Sequence, residues 1–272
     1  MDGILYICPT PIGNLDDITI RTLQVLKQVD LIAAEDTRHT LKLLNHYDIK
    51  KPLTSYHEHN TREKGDVLIK ELKDGKNIAL VSDAGMPGIS DPGHDIIKLC
   101  IKENIQVIGL PGPSASLLAL VISGLNTEKF VFEGFLPSKK GDRKKALEKL
   151  KEEKRTIIFY ESPHRIKDSV FDIFSVFGNR KASLSRELTK HYEETLRGDL
   201  EYLNLVLEER DLKGEMILVI EGSEEIIVEY DIEKELNYFI NLGLSSKDAI
   251  KAVVDKTGLN KNEVYKESLK QK

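Results

Sequence analysis

Three loops carry residues that can hold a small ligand through the backbone. They are Pro9–Asn14 (Pro-Thr-Pro-Ile-Gly-Asn), Asp83–Gly93 (Asp-Ala-Gly-Met-Pro-Gly-Ile-Ser-Asp-Pro-Gly) and Pro111–Ala115 (Pro-Gly-Pro-Ser-Ala). Glycine lets a backbone approach a ligand closely, and proline stiffens a loop while removing a donor. A dinucleotide cradle needs G-x-G-x-x-G after the first strand, and a triphosphate cradle needs G-x-x-x-x-G-K-[ST]. The sequence has neither. The loops therefore suit a ligand without phosphate, gripped by backbone groups, an apolar wall and a carboxylate such as Asp83. One such loop is usually just a turn, but three at one sheet edge favour a small-molecule site. His57-Glu-His59 places two histidines at i, i+2 with no third ligand close in sequence, which makes a weak metal site, and no metal is expected.

Each loop follows a short apolar run, and the runs alternate with helical patterns. Residues 3–8, 30–34, 77–82 and 105–110 read as strands, and 19–29, 38–47, 65–73 and 93–103 as helices. Apolar strands alternating with helices predict a parallel sheet covered on both faces. In such a sheet the loops at the carboxyl ends of the strands line the ligand crevice. After a break at 111–115 a second α/β unit begins, with helices over 114–123, 140–154, 164–177 and 199–208. Its strands are expected over 130–136, 155–160, 181–186 and 215–221, with more antiparallel character. Residues 222–231 are acidic and read as a linker. Three short helical patterns follow, 232–241, 245–256 and 260–270, and resemble a helix-turn-helix unit. The expected domains are 1–112, 113–225 and 231–272.

The 272 residues are 40% hydrophobic and 31% charged, which fits a folded globular chain and excludes disorder. Apolar runs such as 116–122 are too short to span a membrane. Met1-Asp2-Gly3 lacks a cationic leader, and Cys8 and Cys100 form no metal-spaced pair. A reducing, cytoplasmic setting is expected. The net charge of −5 does not announce a nucleic-acid partner, so any RNA must meet a local basic surface. The stretch 139–154, with eight basic and four acidic residues, is either such a surface or a solvated helix.

Longer motifs make a specific resemblance. Pro9-Thr-Pro-Ile-Gly-Asn-Leu-Asp-Asp, Ala34-Glu-Asp-Thr-Arg, Ser82-Asp-Ala-Gly-Met-Pro-Gly-Ile-Ser-Asp-Pro-Gly, Pro111-Gly-Pro-Ser-Ala, Phe159-Tyr-Glu-Ser-Pro-His-Arg and Arg186-Glu-Leu-Thr-Lys occur in this order. Together they closely resemble the ribosomal RNA small subunit methyltransferase I family, of the tetrapyrrole-methylase-like class. The resemblance runs from about residue 3 to 222, and the tail looks like that family's small C-terminal helical domain. It implies two α/β domains with S-adenosylmethionine in the cleft between them. It further implies 2′-O-methylation of a cytidine ribose in the decoding region of 16S ribosomal RNA within the small subunit, by a homodimer with no membrane role. The alternatives are a tetrapyrrole C-methyltransferase of the same fold and a non-catalytic ribosome-assembly binding protein. The Ser-Asp-Ala-Gly and Phe-Tyr-Glu-Ser-Pro-His-Arg motifs and the tail match the RNA branch better.

Carried onto the matching motifs, the resemblance implies that Pro11, Asp83, Met86, Ile89, Ser114 and Ala115 touch the cofactor. Residues near Tyr160–Arg165 and Arg186–Lys190 close the other side. Ser114 opens a helix whose N–H groups suit a carboxylate, or it is a plain N-cap. A ribose hydroxyl is a poor nucleophile until it loses its proton, so a nearby acceptor is useful. Glu187 and Glu161 are preferred, then Asp36, because they sit in the motifs beside basic partners; Glu35, His57 and His164 are further candidates. Each also reads as a member of a structural ion pair. Arg38, Arg165, Arg186 and Lys190 are expected to grip RNA phosphate or to hold these carboxylates, and Lys139, Lys140 and Arg143 to meet the RNA backbone.

Overall fold

The computed structural model describes residues 1–224 and 231–270, except for the side chain of His59. The first sheet has the order β3-β2-β4-β1-β5, all parallel, from β1 (Ile4–Ile7), β2 (Leu31–Ala34), β3 (Leu53–Ser55), β4 (Ile78–Val81) and β5 (Gln106–Gly109). Strand residues alternate between two buried layers, as the pleat requires. Ile32, Ala34, Ala79 and Val81 pack with Leu26 of α1 (Ile20–Gln28) and Leu44 of α2 (Thr37–His46). Ala33, Ile78 and Leu80 pack with Leu68 of α3 (Thr61–Lys73) and Ile96 of α4 (His94–Lys102). Both faces are covered, which is why these strands read as unbroken apolar runs. Helix α3 starts four residues earlier than its periodicity suggests. It carries Gly65 inside, where a Cβ would stand 3.2 Å from Leu99 of α4.

The second sheet has the order β6-β7-β10-β8-β9, from β6 (Phe130–Phe135), β7 (Thr156–Glu161), β8 (Lys181–Arg186), β9 (Glu194–Asp199) and β10 (Met216–Ile220). Only β6 and β7 pair in parallel; β7-β10, β10-β8 and β8-β9 are antiparallel. One face packs on Leu147 of α6 (Lys140–Leu150), Ile173 of α7 (Ile166–Phe177) and Leu203 of α8 (Leu200–Glu209). The other, through Ile158, Ile217 and Val219, packs on Ala119 and Leu120 of α5 (Ala115–Ser123). Ile12 and Ala84, from loops of the first half, join that same layer. The halves expected as separate domains over 1–112 and 113–225 thus share a packed seam, and residues 1–223 form one compact unit.

Residues 224–272 form the other unit. Helices α9 (Ile232–Asn241), α10 (Ser246–Thr257) and α11 (Lys261–Leu269) close on Leu236, Ala249, Ile250, Val253 and Val264. The side chain of Ser245 accepts from the Asp248 N–H and that of Asn260 from the Asn262 N–H, as their N-cap positions predict. Much of the expected acidic linker, 225–230, lies outside the described residues. Among the described residues no helix is long and apolar enough to cross a membrane.

Candidate active site

A cavity of about 440 Å³ opens beyond the carboxyl ends of the first sheet. One wall comes from the loop after β4, with Met86, Ile89 and Asp91, and from Ser114 and Ala115 at the start of α5. The facing wall comes from Tyr160–Pro163 at the end of β7, Glu187 and Leu188, and Gly214–Ile217 leading into β10. A second cavity, about 500 Å³, adjoins it. Ile12, Ala84 and Glu215 face both.

The loops are locked to one another. Thr10 and Gly85 exchange backbone hydrogen bonds of 2.9 and 3.0 Å. The Asn14 N–H donates to Thr189 Oγ1 at 3.0 Å. A Cβ at Gly13 would fall 2.5–2.7 Å from Lys190, Leu188 and Thr189, so only glycine admits this approach of the first loop to the last. Glu187 and Thr189 are both held at positive φ, 50° and 64°, a conformation that costs free energy and persists only where the surroundings impose it.

The structure sorts the expected residues. Met86, Ile89, Ser114 and Ala115 line the first cavity, whereas Pro11 and Asp83 line the second. The first loop stands between the two, which is why one motif set faces both. Glu187 lines the first cavity and accepts from Lys190 Nζ at 3.0 Å and from the Glu215 N–H at 3.2 Å. Burial alone would raise its pKa, but these donors and the Lys190 and Arg186 charges outweigh it and hold the carboxyl below its usual range. Glu161 also lines this cavity and is 3% exposed. It accepts from Ser169 Oγ at 2.6 Å and from the Ser162 N–H at 2.9 Å. Asp36 lines neither cavity. It caps α2 through the Arg38 N–H and holds the Arg38 guanidinium, and these bonds lower its pKa strongly.

The expected RNA contacts divide too. Lys139 and Lys140 are exposed. Arg143 is not available: it is 4% exposed and grips the equally buried Asp172 with Nε and a terminal nitrogen at 2.9 and 2.6 Å. The charge run hides this, because position 143 is on the face of α6 that packs on α7. Arg165 bonds the Leu136 carbonyl and lies 3.4 Å from Glu161. Lys190 is engaged by Glu187 and by Glu215 at 3.1 Å. Arg38 is exposed and paired with Asp36.

Sequence reasoning missed Asp91, which lines the first cavity. Burial pushes its carboxyl up to about 7, with the charges of Glu35, Asp83 and Glu215 adding to the rise and a Ser82 hydrogen bond opposing it. Glu35 is raised as well, first by burial and then by Asp83 and Asp36. In the sequence Ser90-Asp-Pro-Gly reads as a turn, and only the fold brings the other carboxylates around it. Glu215 and Tyr160 were missed as individual residues for the same reason. His57 exchanges hydrogen bonds with Asn60, and among the described residues no three His, Cys, Asp or Glu side chains gather as a metal site.

Two mixed layers with a ligand-sized cleft at a strand-end seam define a class. Residues 4–204 match the tetrapyrrole (corrin/porphyrin) methylase family. Solved structures agree on the fold: diphthine synthase superposes with a TM-score of 0.61 at 14% identity, over 80% of this chain and 90% of that one. Cobalt precorrin-4 methyltransferase gives 0.58 at 16% identity, over 80% and 94%. The chain is 50% identical over 270 residues to ribosomal RNA small subunit methyltransferase I of Halalkalibacterium halodurans, covering 97% of this chain and 93% of the relative. It is 47% identical to the protein of that name from Bacillus subtilis, covering 97% and 93%. Within the class, the chain belongs to the ribosomal RNA small subunit methyltransferase I family.

Proposed function

We propose that the protein transfers a methyl group from S-adenosylmethionine to the 2′-hydroxyl of a cytidine ribose in the decoding region of 16S ribosomal RNA, acting on the small subunit as a cytoplasmic homodimer. The observation that carries the reading is the first cavity itself, placed where the expected cofactor motifs converge. Its 440 Å³ suits a small-molecule ligand. Ser114 makes no side-chain cap bond; the Ser116 backbone meets Tyr160, and the other first-turn N–H groups of α5 are without a capping side chain and suited to a carboxylate. Met86, Ile89 and Leu188 supply apolar wall, and Asp91 supplies a carboxyl toward a cationic ligand. These groups fit S-adenosylmethionine, which when bound supplies a methyl group on a positively charged sulfur.

The chain's own residues then orient the acceptor and manage its proton. Positioning of this kind contributes roughly 7–11 kcal/mol in favourable systems. Glu187, ionised at neutral pH and fixed by Lys190, is assigned to accept the hydroxyl proton. Glu161 and Asp36 serve as positioning residues: the first fixes the Ser162 turn at the cavity wall, the second fixes the start of α2. The test is transfer of labelled methyl from S-adenosylmethionine to isolated small subunits, with the product nucleoside identified by mass spectrometry. Ribose-methylated cytidine is expected. Cofactor binding without incorporation would overturn the reading in favour of a non-catalytic binding protein.

A further inference from the structure

The second cavity has a chemistry unlike the first. One side is built by α2, where His39, Lys42 and Leu43 share a face at helical spacing and line the opening. His39 and Lys42 are exposed, and neither has a carboxylate partner among the described residues. The other side is acidic: Asp83, and Glu215 with its Lys190 partner. That side is the one that meets the first cavity, since Glu215 and Ala84 face both. On the same helix Thr40 also lines the cavity; it is 2% exposed, and its Oγ1 is buried with no hydrogen-bond partner. A buried hydroxyl left unpaired costs stability, and such a group in a cavity wall marks a place where a ligand atom completes the bond.

We propose that this second cavity seats one nucleotide of the acceptor RNA, its backbone phosphate at His39 and Lys42 and its ribose at the wall of Asp83 and Glu215. The proposal rests on the methyl-transfer reading above. The charges fix the orientation. A phosphate is repelled from Asp83 and Glu215, and Lys190 is already neutralised by Glu187 and Glu215. The α2 side, with the ammonium of Lys42 unpaired and the His39 imidazole beside it as a hydrogen-bonding group, is where an anion gains free energy. A ribose hydroxyl at the opposite wall stands at the edge shared with the first cavity, within which the methyl donor and Glu187, the assigned proton acceptor, lie. Thr40 Oγ1, on the α2 side, bonds the nucleotide near its phosphate. A cavity of about 500 Å³ has room for one nucleotide unstacked from its strand, the form in which enzymes acting on single nucleotides take their targets.

The experiment compares the wild type with Lys42→Glu and Thr40→Val. S-adenosylmethionine binding is read by calorimetry, and binding of small-subunit RNA by fluorescence anisotropy across a salt series. Lys42→Glu is expected to weaken RNA binding about tenfold and to lower the salt slope by about one, with cofactor affinity unchanged. Thr40→Val is expected to raise the melting temperature of the free protein, because the unpaired hydroxyl is gone, and yet to weaken RNA binding severalfold. A merely structural threonine would not give that split. Unchanged RNA affinity in both variants, with cofactor binding intact, overturns the nucleotide site and leaves the methyl-transfer reading standing. Loss of cofactor affinity in Lys42→Glu also overturns it, since the two cavities would then not be separate sites. Failure of the wild type to bind the cofactor overturns the methyl-transfer reading itself.

Discussion

The carboxylate of Glu187 occupies the space that a side chain at Gly214 would fill: a Cβ there would stand 2.3 Å from Glu187 Oε1. Gly214 is also at φ +92°, which disfavours other residues independently. Gly214→Ala is therefore expected to cost about 1–3 kcal/mol from backbone strain and to push Glu187 off Lys190. Turnover should fall by more than cofactor affinity. Denaturant titration and single-turnover methylation check this, and wild-type values for both would contradict it.

Arg143 and Asp172 make a buried ion pair, so removing one partner leaves an uncompensated charge. Arg143→Ala should destabilise the fold by about 3–5 kcal/mol. RNA affinity, measured below the melting transition, should be unchanged because the guanidinium does not reach solvent. Lys139→Glu with Lys140→Glu should do the opposite if those exposed lysines meet RNA: stability constant, RNA binding weaker and less salt-dependent.

Asp91 sets a pH dependence with a definite sign. Its folded pKa is raised to about 7, above the unfolded carboxylate value. A raised folded pKa contributes stability fully present below the unfolded pKa, and that contribution fades as the pH rises through about 7. Asp91→Asn should therefore be more stable than wild type at pH 8, and the difference should shrink toward pH 5. If the ionised carboxylate faces the cationic cofactor, wild-type cofactor affinity should rise through pH 7 and the variant's should not. Parallel melting curves and titrations at three pH values decide both.

Asp83 and Glu187 line different cavities, so their variants should differ in effect. Asp83 lines the second cavity, so Asp83→Ala should raise the KM for RNA more than the cofactor Kd. Glu187→Gln should lower kcat by about 10²-fold if it takes the hydroxyl proton, with cofactor affinity nearly kept. Equal turnover would remove Glu187 from that role.

Much of the fold is legible in the sequence for one reason. Ile32, Ala33 and Ala34 are all buried because helices cover both sheet faces, so the strand announces itself. The two missed strands lack this signal. Leu53–Ser55 is a three-residue edge strand after Pro52, and Glu194–Asp199 is a polar edge strand. At the site, Met86 and Ser114 are legible because they follow strands in motif-rich loops. Asp91, Glu215, His39 and Lys42 are not, since their chemistry arises when separate segments meet. Arg143 shows the converse. Its helix is so rich in lysine that the one inward cation is invisible, although Asp172 in the apolar α7 pattern Ile-Lys-Asp-Ser-Val-Phe-Asp-Ile-Phe already asks for a partner.

The account turns on a methyl donor held in the first cavity, and filling that cavity tests it most directly. Ala115 lines it at the start of α5, so Ala115→Phe fills the space; because Ala115 also packs against the layer of Ile158, Ile217 and Val219, the comparison is made on a variant that still melts cooperatively. Calorimetric titration of S-adenosylmethionine into the wild type should show one site per chain, and into a folded Ala115→Phe protein at least a tenfold weaker one. Equal affinity in the two proteins would place the donor elsewhere and contradict the account.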